Sequence, residues 1–460
     1  MSELTPNPSP DLTPFPRDPE APPPPPTPPR WSFATRLAFR LGFCYLMIYA
    51  LCCGNATLWE IIPWAGGYIN YWLSWPFSHA AQWLGQHLFR LTGVGSKLHG
   101  TGSGDTILSW IAVGVMLAVA IIATLLWTAF AELRSPARHP LAYPRLFFWF
   151  RLTIRLTLGV AMLNYGLAKV FPLQMAPPSL AVLNEPLGNT SPMTMLWTLI
   201  GLNPVYEMIC GAAECLAGIL ILFRRTGLLG ELLTAFLATN IVLYNFCYDV
   251  PVKLYAAHLL LLSTALIIPD MPGLINFFFL HRPSRPIDGW VKPARRYGLR
   301  AETISVIVVL LLAVLPNAFQ LRNGYAQQLA REKHPSPLIG QWHLIAATKP
   351  YLTGDGLPMT DIFLEPSGRV MVRSTDNVLW RGGAHVDDKK HTLELFSVGH
   401  DGAPPVYAVT QPNPLQLVLT PTGKDAKNDG ILTLTRVPLP THYPLLERGF
   451  HFVNEWGLER

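Results

Sequence analysis

Long apolar runs separated by short basic clusters fill most of the chain, and a different pattern of short alternating runs fills its last part. A bilayer core of ~30 Å takes ~20 mostly apolar residues per helix. Seven segments meet that requirement: 35–54, 106–131, 147–170, 205–223, 227–247, 252–269 and 302–319. The second is uncharged from Ile107 to Phe130. Gly273 to Leu280 is also apolar, but it is too short to span and is expected at the interface.

From Leu338 the period shifts to two. Candidate strands are Trp342–Ala346, Asp361–Glu365, Arg369–Ser374, Leu379–Gly382, Leu393–Val398, Val406–Thr410, Gln416–Thr420 and Ile431–Val437. Turn formers separate them: Thr353-Gly354-Asp355-Gly356, Pro366-Ser367-Gly368, Asp387-Asp388 and Asp401-Gly402. Even spacing of this kind predicts an up-and-down antiparallel barrel or a sandwich. Gly340-Gln341-Trp342 resembles the Gly-x-Trp start of lipocalin-like barrels. A domain this small is expected to be filled by its own side chains rather than by a ligand. The predicted fold class is therefore mainly α, a polytopic membrane helical bundle of about seven transmembrane helices, with a small C-terminal all-β domain. The amphipathic tail Tyr443–Trp456, with Phe450 and Phe452, is expected to pack on that domain or on the membrane.

The boundaries follow from these changes of pattern. Residues 1–30, with the proline run Pro22–Pro26, predict a disordered tail. Residues 31–145 hold the first helices and an aromatic outer loop, 146–271 a four-helix core, 272–325 a basic loop and the last span, and 335–460 the β-rich domain.

Composition sharpens the picture. Half of the residues are hydrophobic, 14% are charged, and the mean hydropathy is +0.27, against about 25% charged in a soluble domain. The net charge of +6 sits in clusters between apolar runs, which is a topology signal and excludes nucleic acid as a partner. Arg30, Arg36 and Arg40 flank the first span. Arg134, Arg138 and Arg145 follow the second, Arg224 and Arg225 the fourth, and Arg282, Arg285, Lys292, Arg295, Arg296 and Arg300 the sixth. The stretch Pro172 to Asn203 carries no positive charge. The alternation puts the N-terminus in the cytoplasm of a bacterial inner (plasma) membrane. It puts the loop 55–105 and the β domain in the periplasm or outside the cell. Trp59, Trp64, Trp72, Trp75 and Trp83 in that loop are expected to rest at the membrane surface.

Ionisable groups within membrane helices are costly and mark function by default. Lys169 ends the third span near Asn164 and Tyr165. Glu207 opens the fourth, with Glu214 about two turns deeper on the same face. The fifth ends with Asn240, Asn245 and Asp249, and the sixth opens with Lys253 and His258. These groups are expected to converge near the outer leaflet. Lys169, Glu207, Asp249, Lys253 and His258 are the candidate catalytic set, with Asn164, Glu214 and Asn245 as candidate cofactor-binding or orienting groups. The competing reading makes Lys169–Glu207 and Asp249–Lys253 ion pairs that lock helices, with His258 a satisfied core residue. Arg151 and Arg155, at the cytoplasmic end of the third span, are expected to snorkel to headgroups. Of the six cysteines, Cys52, Cys53, Cys210 and Cys247 lie outward, where an exchangeable disulfide could form, while Cys44 and Cys215 lie deeper; packing as small apolar residues is the alternative. No ligand spacing predicts a metal site.

Residues 151–270 resemble the four-helix unit of the DoxX-like integral membrane proteins. The resemblance rests on Arg151, Arg155, Gly159 and Asn164-Tyr165-Gly166-Leu167-Ala168-Lys169-Val170-Phe171. It also rests on Glu207 and Glu214, Gly227 and Gly230, and the run Tyr244–Asp249 followed by Lys253 and His258. The additional helices and the β domain resemble the larger, fused members. The family is named for a small subunit of a thiosulfate–quinone oxidoreductase and distantly resembles the membrane part of vitamin K-dependent carboxylases. The resemblance therefore implies a redox or quinone-linked membrane protein, with quinone and a membrane redox partner as expected ligands beside the lipid bilayer. The alternative class is a non-enzymatic assembly or accessory protein that docks partners through its exterior β domain. A transporter is disfavoured, because no inverted repeat or broken helix is visible.

Overall fold

The computed structural model describes residues 31–52, 59, 62, 65–93, 103–134, 143–283, 296–333, 335–354, 356–396, 404–422, 429–440 and 442–447. The proline-rich tail, Cys53, Trp64, the turn Asp401-Gly402 and the terminal Phe450, Phe452 and Trp456 lie outside the described residues.

Among the described residues seven helices are long and apolar enough to cross a bilayer: Phe33–Cys52, Ile107–Leu133, Pro144–Val170, Pro204–Leu222, Gly227–Cys247, Lys253–Phe278 and Arg300–Lys333. They make the chain a multi-pass membrane protein. Leu117, Ile121, Ile122, Leu125, Leu126 and Phe130 stand exposed along the second of these, an apolar surface that water would penalise and lipid tails would cover.

In chain order the helices are α1 (Phe33–Cys52), α2 (Gly66–His87), α3 (Ile107–Arg134), α4 (Pro144–Val170), α5 (Leu180–Leu183), α6 (Pro192–Gly201), α7 (Pro204–Leu222), α8 (Gly227–Cys247), α9 (Lys253–Ile267), α10 (Met271–Phe278), α11 (Arg296–Val309) and α12 (Leu315–Lys333). Helix α4 is buried along most of its length and is the axis of the bundle. It runs antiparallel to α7, and glycines set their separation. A Cβ on Gly166 would lie 2.8 Å from the Gly211 carbonyl oxygen, and one on Gly218 would lie 3.0 Å from that of Gly159. Small residues at matched heights let two backbones touch where lipid offers no hydrophobic drive.

Three helical features differ from the sequence expectation. The aromatic loop contains α2, which lays Ala81 and Gly85 against α3. The piece Gly273–Leu280 does not stand apart at the interface. A 3-10 turn, Ile268–Asp270, joins α10 to α9, and its proline sits in the first turn, where no N–H partner is lost. The last span continues through a π-turn, Leu310–Val314, into α12, whose polar half leaves the bundle and leads to the β domain.

That domain is a closed barrel of eight antiparallel strands in sequence order: β1 (Gly340–Ala347), β2 (Met359–Leu364), β3 (Arg369–Ser374), β4 (Leu379–Asp387), β5 (Thr392–Phe396), β6 (Val406–Asn413), β7 (Gln416–Thr422) and β8 (Leu432–Val437). Of the two architectures left open, the barrel is the one adopted, since β1 pairs with both β2 and β8. Alternate residues fill its interior: Ile362 and Leu364, Val370 and Val372, Leu393 and Leu395, Leu417 and Leu419, Leu432 and Leu434. Trp342 closes one end, donating from Nε1 to the Leu338 carbonyl at 2.7 Å. The Arg436 guanidinium lies 5.3 Å over the Trp342 ring. The barrel is packed with its own side chains.

Its outer face on β2 and β3 docks onto the segment between α4 and α7. Ala181, Phe363 and Met371 share a small core. Around it Arg373 pairs with Glu185 at 2.6 Å, and the Leu180 amide donates to Glu365 Oε1 at 3.0 Å.

Candidate functional site

The predicted site residues fall into three groups at the barrel end of the bundle, and only one group brings acid and base together under cover. Lys169, in the last turn of α4, reaches across to α7 and donates to both oxygens of Glu214, at 2.9 and 2.7 Å. Both residues are buried, each 4% exposed. The pairing expected between Lys169 and Glu207 is corrected by this geometry. Gly166 and Gly211 bring α4 and α7 so close that the lysine side chain meets the carboxylate one level deeper.

Glu207 has another partner. It is fully buried, its Oε1 accepts from the Met175 amide at 2.9 Å, the neighbouring Gln174 amide also addresses the carboxylate, and among the described residues its Oε2 makes no hydrogen bond of normal geometry. Met175 belongs to the chain that leaves α4, so this carboxylate fastens the barrel-side segment to the start of α7. Lys169 lies within electrostatic reach of it. One ammonium thus faces two carboxylates in a buried volume.

Sequence reasoning missed the walls of this group. Tyr206 hydrogen-bonds Cys210 on α7, and Cys210 lies within reach of Lys169, Glu207 and Glu214. Tyr244 of α8 faces Glu214 and Cys210. The signal for the first two was present in the one-turn spacing of Tyr206, Cys210 and Glu214 along α7. The deeper thiol of α7, Cys215, presses its Sγ against Gly166. Cys44, Cys210, Cys215 and Cys247 are free thiols.

The second group is a surface pair. Lys253 Nζ donates to Asp249 Oδ1 at 2.6 Å, but the Asp249 side chain is 83% exposed. Asp249 takes a left-handed conformation, φ 53°, just past the end of α8, where aspartate is tolerated and a helix can stop. The lysine's own helix is capped from a distance. Asp105, before α3, accepts from the amides of Lys253 and Leu254, satisfying two of the orphan donors at the start of α9. Asn245 is buried here, donating to the Val252 carbonyl at 3.3 Å while its Oδ1 has no partner among the described residues.

His258 forms the third group, and its ring is fully engaged. Nδ1 lies 2.6 Å from the Leu254 carbonyl oxygen, which only an N–H can approach, so Nδ1 carries the proton. In the neutral ring Nε2 then accepts from the Tyr45 hydroxyl at 2.7 Å. Tyr49 stacks on the same ring at 3.7 Å. Asn164 is also elsewhere, accepting from Asn317 of α12 at 3.1 Å.

At the opposite end of the bundle the expected snorkelling of Arg151 and Arg155 is overturned. Arg155 donates to the Ile221 and Leu222 carbonyls, each at 3.0 Å, and pairs with Glu302 at 2.7 Å. A guanidinium at the carbonyl end of α7 satisfies its orphan acceptors and its dipole. Arg151 pairs with Glu231 and Asp270, each at 3.3 Å. Carboxylates on α8, α11 and the α9–α10 turn give these arginines partners inside the bundle, which headgroups would otherwise have to supply. Among the described residues no group of histidine, cysteine and carboxylates could hold a metal ion.

No model of a known protein family matches this chain, and no solved structure does. A stretch of 126 residues, 27% of this chain and 80% of the other, is 32% identical to the uncharacterized protein YwoB of Bacillus subtilis (strain 168). With that identity over most of the shorter protein, this chain belongs to the family of YwoB.

Proposed function

We propose that this protein is a DoxX-like, quinone-linked membrane protein whose working centre is the Lys169–Glu214–Glu207 cluster. The positive-charge pattern supports placing that centre, with the barrel, on the outer side of a bacterial inner membrane. The observation that carries the reading is the Oε2 of Glu207, which makes no hydrogen bond of normal geometry among the described residues and is fully buried beside an ammonium already committed to Glu214. A buried acceptor without a donor is costly, and it fits a hydroxyl donor such as that of a quinol. A quinone bound there would supply a two-electron, two-proton couple. Glu207 would accept the hydrogen bond and hold a proton at Oε2, Lys169 would stabilise the carboxylates, and Tyr244 with Tyr206 would wall the site from lipid. Asp249, Lys253 and His258, proposed from sequence as part of the same centre, take supporting places in this reading: a surface pair at the entrance to α9 and a locked contact between α9 and α1.

The test is to purify the full chain from its native membranes and extract bound quinone. The wild type should carry quinone, and Glu207→Gln should lose it at an unchanged melting temperature. Absence of quinone from the wild type, or its retention in the variant, would sink the proposal. The second reading, an accessory protein that docks partners through its barrel, is favoured by the closed geometry of Lys169–Glu214, which is that of a helix lock. It predicts a stably co-purifying protein and no small molecule.

A further inference from the structure

A cleft of about 330 Å³ separates the barrel from the segment that joins α4 to α7. Four segments contribute to it. Strands β3 and β4 contribute Arg369 and Arg381, helix α6 contributes Thr194, Trp197 and Thr198, and the chain leaving α4 contributes Gln174. The volume lies within the range of small-molecule sites.

Charge distinguishes this cleft from packing space. Two guanidiniums line it against a single carboxylate, Glu365. That carboxylate is already held by the Leu180 amide, and its contact with Arg369 is a loose 3.6 Å. Arg381 Nη2 donates to the Thr194 hydroxyl at 3.3 Å. The neighbouring Arg369 repels the Arg381 guanidinium, while Glu365 attracts it. An anion in the cleft would relieve that repulsion. The hydroxyls of Thr194 and Thr198 add neutral donors, while that of Ser367 is engaged by Glu365 and Arg369. Forked guanidiniums with hydroxyl donors suit a phosphate group.

Helix α6 gives the cleft its setting. Thr194, Trp197, Thr198 and Gly201 lie on one face, and the first three line the cleft. Met195 and Leu199 lie on the opposite face, 48% and 68% exposed. A short helix with an exposed apolar face, attached directly to a membrane span, would rest in the interface with that face toward lipid. That placement would open the cleft at headgroup depth.

We infer that this cleft is a binding site for a phosphate-bearing ligand, gripped by Arg369 and Arg381. The site is separate from the buried ion-pair cluster and does not depend on the redox reading. Its ligand is either an anionic phospholipid headgroup or a free phosphate compound, and the two sources are separable by experiment.

The full chain in neutral detergent is titrated with dihexanoyl phosphatidylglycerol below its micelle concentration, with inorganic phosphate, and with phosphate-free dihexanoylglycerol. Binding is read by calorimetry. Phosphatidylglycerol is expected to bind, and dihexanoylglycerol is not. Arg369→Gln and Arg381→Gln should each weaken binding on the order of tenfold, the effect of losing one charged hydrogen-bonding group. Arg381→Lys, which keeps the charge and loses the fork, should fall between. Lys390→Gln removes a charge from an exposed position elsewhere on the barrel and should change nothing. Binding of phosphate without phosphatidylglycerol, with the same arginine dependence, would assign the site to a soluble phosphate compound. Failure of both phosphate probes to bind the wild type would overturn the inference. So would binding that the arginine substitutions leave unchanged while the variants keep the wild-type melting temperature.

Discussion

Lys169 chooses Glu214 over Glu207, and that choice separates two kinds of carboxylate on one helix face. Glu214 is neutralised by a bidentate ammonium, while Glu207 is held by backbone N–H groups and keeps one oxygen without a hydrogen bond among the described residues. Breaking a buried pair strands a charge and costs about 3–5 kcal/mol, whereas replacing both members by apolar groups is close to neutral. Lys169→Met should therefore lower stability by about 3–5 kcal/mol, and the Lys169→Met/Glu214→Met double variant should recover most of it. Urea melts of the purified chain in detergent measure both. If the double variant also recovers full biological activity, the pair is a lock and nothing more. If stability returns without activity, the pair belongs to the chemistry. The sequence already showed which ionisable residues lie at the barrel end, because depth along a span follows from counting residues. It did not show who pairs with whom, because that depends on the rotation and spacing of neighbouring helices.

Those two quantities are set by glycine at the level of whole elements. A Cβ on Gly166 would stand 2.6 Å from the Cys215 sulfur and 2.8 Å from backbone atoms of α7. Backbone cannot step aside as a flexible side chain can, so Gly166→Leu should split α4 from α7 and take the Lys169–Glu214 pair with it. Gly114 on α3 offers the contrast, with nothing within 4 Å of its Cβ position. Gly114→Leu should be tolerated or gain up to about 1 kcal/mol from helix propensity. Thermal melts of the two variants test the argument, which fails if Gly166→Leu melts as the wild type does. Spans such as Gly227–Cys247 were legible to the residue, since an apolar run must cross a layer of known thickness. Helix α2 was not, because Pro76 and its aromatic residues read as a surface loop. Its helicity comes from Ala81 and Gly85 fitting against α3, a tertiary fact without a local signature.

At the scale of the molecule, the barrel is both the best-read and the least-placed part. Alternation in five of its strands reported the filled interior directly, yet nothing in those strands announced that β2 and β3 would turn Phe363 and Met371 outward against Ala181. Glu365 lies at that seam and makes the docking sensitive to pH. Burial holds its carboxyl above the ordinary 4.5, while Arg369, the Leu180 amide and Arg381 pull the other way. Because burial prevails, the docked state binds the proton more tightly than the undocked or unfolded one. The resulting stabilisation is complete below the ordinary value and is lost as pH rises through the raised one. Docking should therefore strengthen on acidification from neutrality. Glu365→Gln keeps an oxygen for the Leu180 amide and removes the titration, and its loose contact with the half-exposed Arg369 contributes little. The variant should match the wild type under acid conditions, equal or exceed it at neutral pH, and show the shallower pH slope of melting temperature. Equal slopes in the two proteins would mean that the seam titrates elsewhere, and the carboxylate would then be a fixed strut rather than the proton-dependent joint between barrel and membrane bundle.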